Sequence, residues 1–256
     1  MWDAACHGRW LPIWPIAVEN WSADAKGATP AGAKHSVKGE VMNSADLVLY
    51  GPAYSTYTRT ARLALEEKNV PYRLVEIDFL RGANRSTEHL ARHPFGKVPV
   101  LEHGRLKLYE TIAITDYIDS TFPGEPLQPK DATGRARMLQ AVGIVTSYIY
   151  GPMVGQILVE RLIKPVLGQP ADEAVVESGV RRLKKGLAVL EPLVGEAPFS
   201  NGKSLSLADL YLIPMWAYFV QTPEGSMASS SLPRLQQWWQ AVSERPSVVN
   251  TAAAIQ

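Results

Sequence analysis

The stretch FGKVPVLEHGRLKLYE, residues 95–110, reads as a hairpin, with short strands over Val98–Glu102 and Leu106–Tyr109 joined at His103-Gly104. Pro99 sits inside the first strand, between Val98 and Val100. Proline has no N–H for a ladder and belongs at sheet edges, strand starts or bulges. Cis costs only about 0.5–1 kcal/mol before proline, so a sheet can hold it. If the Val98–Pro99 bond is cis, the chain kinks at the sheet edge and leaves the backbone groups of Val98 turned outward. An extended peptide can then add as a short antiparallel strand. Taken alone, Pro99 merely ends an edge strand.

Upstream of the hairpin, DLVLYG (46–51) is a short β-run, YSTYTRTARLALEEKNV (54–70) has helical spacing, and PYRLVEIDF (71–79) is a second strand. STEHLARH (86–93) is a short helix with Ser86 at its cap. TIAITDYIDSTF (111–122) is a helix stopped by Pro123-Gly124. The order β-α-β-α-β-β-α describes a small α/β layer with a mixed sheet.

A Pro- and Gly-rich linker begins at Pro123, and beyond it strand signals vanish. A long helix from Arg135 breaks at Gly151-Pro152, and an amphipathic helix covers 171–194. The nearly all-apolar run 206–220 belongs at the centre, and 232–248 completes an all-α half. Ser206 and Asp209 form a capping box, with Leu205 and Leu210 as its staple. The expected organisation is a flexible extension (1–44), an α/β domain (45–122), a linker (123–131) and an all-helical domain (132–256).

The 256 residues are 46% hydrophobic and 20% charged, with net charge +1, so no strong field draws nucleic acid or anionic lipid. Cys6 is the single cysteine, which excludes an intramolecular disulfide and a CxxC pair. No apolar run reaches the roughly 20 residues of a membrane span. The histidines have no metal spacing, so no metal is expected. LPIWPIAV (11–18) resembles a signal h-region, but two prolines interrupt it and a single Arg makes a poor n-region. A tail ahead of a natural start at Met42, on a cytoplasmic protein, is the expectation.

The run HPFGKVPVLEHG…LYETIAITDYID resembles the Asn-Pro-x-Gly-x-Val-Pro-x-Leu…Glu-Ser-x-Ala-Ile pattern of the glutathione transferase family. The first strand, first helix and second strand, and SLADL in the helical half, fit the same family over 45–250. The likeness is to its serine-type, theta- and phi-like branches, with a bacterial look. It implies a thioredoxin-like amino-terminal domain and a groove shaped by Pro99 for the backbone of glutathione.

By the same resemblance, Ser55 holds the glutathione sulfur as thiolate, with Tyr54 and Tyr57 as alternative hydroxyls. A free thiol has a pKa near 8.5, and a hydroxyl donor at a helix N-terminus favours its anion. Ser55 also reads as a plain N-cap. Glu110 and Thr111 match the acidic-then-hydroxyl pair that grips the γ-glutamyl end. Lys97 and Arg85 match cations facing the glycine carboxylate, and Val98 and Pro99 the backbone edge. Asn84 and His93 depart from the pattern, which has His and Asn there. Asp116 matches a position that contacts the dimer partner in some members.

The electrophile pocket is expected between the domains, with Tyr148, Tyr150, Met153, Trp216 and Phe219 as candidates. The expected activity is glutathione conjugation or peroxide reduction, in detoxification, by a homodimer. The expected partners are glutathione as co-substrate and a hydrophobic electrophile, without nucleic acid or membrane. The alternative is a non-catalytic ligand-binding or regulatory protein on the same scaffold.

Overall fold

The structure, a computed structural model, describes residues 47–194 and 205–255. The expected extension, its h-region, Cys6 and Met42 lie outside the described residues.

The amino-terminal half follows the expected order: β1 (Leu47–Tyr50), α1 (Thr56–Glu67), β2 (Arg73–Val75), the single turn α2 (Thr87–Leu90), β3 (Val100–His103), β4 (Leu106–Tyr109) and α3 (Thr111–Thr121). The sheet runs β2-β1-β3-β4. β1 and β2 pair in parallel across the α1 crossover, and the other pairs are antiparallel, with Leu49 opposite Leu101 and Val100 opposite Tyr109. This is the thioredoxin-like arrangement.

Two departures locate the groove. β2 stops at Val75 instead of running to Phe79, because it is an edge strand whose neighbour β1 turns away; the Gly51 N–H takes the Val75 carbonyl at 3.0 Å. β3 begins one residue after Pro99, and the Val98–Pro99 bond is cis. Among the described residues, neither backbone polar group of Val98 takes a partner.

Gly51 makes the turn from β1 to α1 feasible. Its φ is +152°, and a Cβ there would stand 2.3 Å from Thr58 Oγ1. Only glycine admits both the torsion and the close approach. At the other end of α1, Asn69 adopts the left-handed region (φ +53°), which asparagine tolerates.

In the helical half, α4 (Ala132–Ile144) continues into wide π turns over Val145–Ile149 and Gly151–Ile163 and closes with the turn α5 (Lys164–Val166). The axis bends by 48° at the expected break, where proline at the start of a turn interrupts the ladder. Next come α6 (Glu173–Leu190), α7 (Leu207–Phe219), α8 (Pro223–Ser230), α9 (Pro233–Val242) and α10 (Pro246–Asn250). α8 was not expected, because TPEGSMASS is small and polar without an apolar stripe. The run 232–248 divides into α9 and α10 because Pro246 cannot continue a helix.

α7 is the central helix: of its residues only Ala217 is not buried. The Ser206–Asp209 box forms, with the Ser206 N–H on Asp209 Oδ2 at 2.7 Å. Asp209 also accepts from Trp238 Nε1 at 2.8 Å, tying α7 to α9. The two halves share one core, to which Leu63 and Ile114 belong together with Met138 and Ile213. Thr60 Oγ1 donates to the Leu210 carbonyl at 3.1 Å across it. Among the described residues no single helix is long and apolar enough to cross a membrane.

Candidate functional site

A cavity of about 750 Å³ opens where the two halves meet. Ser55, Lys97, Val98, Pro99, Glu110 and Thr111 all line it, although they come from three separate segments. Its far side is apolar and helical, with Leu139, Val142, Val154, Leu158 and Ile163. That combination of an apolar body and a few convergent polar groups suits a small-molecule site.

Ser55 is the N-cap of α1, and its Oγ accepts from the Thr58 N–H at a long 3.4 Å. A hydroxyl has one donor and two acceptor sites, so capping leaves its proton free for a group in the cavity. The first turn of α1 carries no acidic residue to offset the positive end of the helix. The turn before it is pinned from behind, because the Ala53 N–H lies 3.1 and 3.2 Å from the two Glu76 carboxylate oxygens.

Tyr54 and Tyr57 also line the cavity. Burial pushes both phenols upward, Tyr57 strongly, and the nearby carboxylates act in the same direction. The Tyr57 ring stacks on Tyr150, with centroids 4.7 Å apart at 18°, and meets the edge of Tyr211 at 6.2 Å. Tyr57 is thus committed to an aromatic shelf.

Glu110 caps α3 at φ +70°, ψ 113°, a conformation an L-residue adopts at a cost of order 1–3 kcal/mol. It stays exposed at the rim, while Thr111 behind it is buried at the start of α3. Lys97 is exposed, and its carbonyl is held by His89 Nε2 at 2.8 Å. Asn84 is buried and donates to the Gly96 carbonyl at 2.7 Å. Two side chains of the α2 region thus hold the two residues ahead of Val98.

His93 lines the cavity from a buried position, its ring 4.8 Å from that of Tyr109. Burial lowers its pKa below the usual imidazole value. Among the described residues, its Nδ1 has no partner.

Several expected residues lie elsewhere. Arg85 is exposed and off the cavity: Asn84 points inward, and successive residues of a 3₁₀ turn diverge by about 120°. Met153, Trp216 and Phe219 are sealed in the core, so they do not line the pocket. Tyr148 is 68% exposed and faces away from it. The wide π turns and the 48° bend change which face of the long helix meets the cavity, and of the two tyrosines there only Tyr150 reaches it. Asp116 bonds within its own chain, to Gln128 Nε2 at 2.9 Å and Arg135 at 3.1 Å.

The sequence reading missed Phe79, Leu80, Tyr211, Tyr218 and Ile255 on the lining. No motif marks them, because they converge from a loop, the central helix and the segment after α10. Among the described residues no group of three or more His, Cys, Asp or Glu side chains is placed to hold a metal ion.

Sequence models described as "Glutathione S-transferase, N-terminal domain" and "Glutathione S-transferase, C-terminal domain" match residues 49–126 and 147–246. A relative named probable glutathione S-transferase GSTF1, from Oryza sativa subsp. japonica, is 33% identical over 81% of this chain and 95% of its own. Glutathione S-transferase 4 of Zea mays is 36% identical over 80% of this chain and 91% of its own. These relatives are plant proteins and lend no support to the bacterial look. A solved glutathione S-transferase-I bound with lactoylglutathione superposes with a TM-score of 0.73 at 33% identity, over 82% of this chain and all of that one. Glutathione S-transferase I from mais in complex with an atrazine glutathione conjugate gives 0.71 at 32%, over 80% and 96%.

Proposed function

The chain belongs to the glutathione S-transferase family and is a glutathione transferase, and we propose that Ser55 holds the glutathione sulfur as thiolate for attack on an apolar electrophile. The observation that carries this reading is the convergence of Ser55, Lys97, Val98, Pro99, Glu110 and Thr111 on one cavity that the helical half lines largely with apolar side chains.

The unpaired backbone of Val98 receives the peptide of glutathione as an added strand. Glu110 takes the γ-glutamyl ammonium, while the Thr111 hydroxyl and the N-terminus of α3 take its carboxylate. Lys97 faces the glycine carboxylate. This places the sulfur at the start of α1, where the Ser55 hydroxyl donates to it and the helix end favours negative charge. The thiol proton leaves to solvent. The sulfur lone pair then forms an S–C bond as the leaving group departs with its electron pair, or attacks a peroxide oxygen as the O–O bond breaks. Holding both reactants together supplies the remaining acceleration.

In this reading residues 45–122 supply the glutathione groups and 132–256 the acceptor wall, joined by the linker 123–131. We assign the chain to a phi-like, serine-type branch and to detoxification, acting as a cytoplasmic homodimer. The test is retention on glutathione resin, followed by conjugation of a small aromatic halide. Retention with turnover is the expected result; retention without turnover overturns the catalytic role, and no retention overturns the glutathione site.

A further inference from the structure

Ser55, Arg59 and Arg62 follow one another at i, i+4 and i+7 along one face of α1. The first lines the cavity, while the two arginines are nine-tenths or more buried and among the described residues make no ion pair. Instead both bind one segment of chain, and Arg62 also donates from Nε to the Tyr72 hydroxyl at 3.0 Å. Arg59 donates to the Val248 carbonyl at 2.9 Å and to Thr251 Oγ1 at 3.3 Å. Arg62 donates to the carbonyls of Thr251 and Asn250 at 3.0 and 3.3 Å. A buried guanidinium is costly unless its donors are satisfied, and these carbonyls carry the negative end of α10. Where α10 ends, the Tyr218 hydroxyl takes over, donating to the Ala253 carbonyl at 2.8 Å. Tyr218 and Ile255 then both line the cavity.

Resting on the glutathione reading of the cavity, we infer that Ile255 is a specificity-determining residue that limits the length of the apolar group joined to the sulfur. Arg59, Arg62 and Tyr218 are the positioning residues that hold it there. Residues 252–255 have no helix or strand of their own, so the place of Ile255 depends on those donors. The same helix that presents Ser55 to the sulfur thus fixes one boundary of the acceptor space.

The test is calorimetric binding of S-methyl-, S-butyl-, S-hexyl- and S-octylglutathione to the full chain and to Ile255→Trp, Ile255→Ala and Tyr218→Phe. Affinity for S-methylglutathione stays within about twofold in every variant. A pocket boundary discriminates by about tenfold or more per group excluded. Ile255→Trp therefore moves the fall-off in affinity to shorter chains by that factor, and Ile255→Ala moves it to longer ones. Tyr218→Phe keeps the ring and loses only the bond to Ala253, so it shifts the profile in the Ile255→Ala direction; a purely structural tyrosine would weaken all four ligands alike. Superimposable profiles for the parent and both Ile255 variants overturn the inference while leaving the glutathione site intact. Failure of the unaltered chain to bind S-methylglutathione overturns both.

Discussion

Lys68 Nζ lies 2.7 Å from Asp119 Oδ1, with side-chain exposures of 2% and 8%, so the end of α1 is joined to the end of α3 by an ion pair out of water. The same carboxylate accepts from the Leu127 N–H at 2.8 Å and Gln128 Nε2 at 3.2 Å, which anchors the linker. Because α1 begins beside Ser55 and α3 begins at Thr111, the pair braces both helices that open onto the cavity.

Removing one partner of such a pair leaves a buried charge unanswered. Asp119→Ala should lower unfolding free energy by about 3–5 kcal/mol, measured by urea denaturation. Lys68→Met with Asp119→Leu should recover part of the loss. Recovery should be incomplete, because the Leu127 N–H still lacks its acceptor.

Ser55→Ala removes the hydroxyl proposed to donate to sulfur, and a weak cap. The pKa of bound glutathione, read from thiolate absorbance, should rise by about one unit or more. Tyr54→Phe and Tyr57→Phe should leave it in place, since the proposed donor is the Ser55 hydroxyl and the Tyr57 ring is committed to its stack against Tyr150. An unmoved thiol in Ser55→Ala would transfer the role to another hydroxyl.

Glu110 joins strain to function. Glu110→Ala and Glu110→Gly should each weaken glutathione binding by about tenfold or more, because both lose the carboxylate proposed to face the ammonium. Only glycine relaxes at φ +70°, so Glu110→Gly should melt as the more stable of the two, by about 1 kcal/mol. Equal stabilities would show that the torsion costs nothing here.

The buried His93 ring sets a pH dependence. Its pKa is lowered on folding, so between the unfolded value and the folded one the unfolded chain holds more protons. Stability is therefore full above about pH 6.5 and falls as pH drops below it, by at most about 1.4 kcal/mol per pH unit. His93→Asn should flatten this slope in denaturation measured from pH 7 to pH 5. A slope identical to the parent's would place the proton elsewhere.

How much of the site was legible can be judged residue by residue. Ser55, Lys97, Val98, Pro99, Glu110 and Thr111 sit beside turns and caps, where local chemistry restricts what the backbone does, and each of these residues, singled out from its neighbours in sequence, lines the cavity. Arg85 failed because a charged residue in a short turn points wherever its buried neighbour, Asn84, leaves room. Trp216, Met153 and Phe219 failed because an apolar side chain reads alike in a core and in a pocket. Ile255 and Tyr211 gave no local signal.

The sequence by itself determined the order of elements in the amino-terminal half, the hairpin after Pro99, the capping box at Ser206 and the change from a mixed sheet to helices. Those follow from periodicity, caps and breakers, which act over a few residues. Tertiary structure alone decided where β2 stops, which face of the bent π-rich helix meets the cavity, and that a segment after α10 closes beside Tyr218. Each depends on groups distant in the chain competing for one volume or one hydrogen bond, as when Arg59 reaches across 189 positions to the Val248 carbonyl.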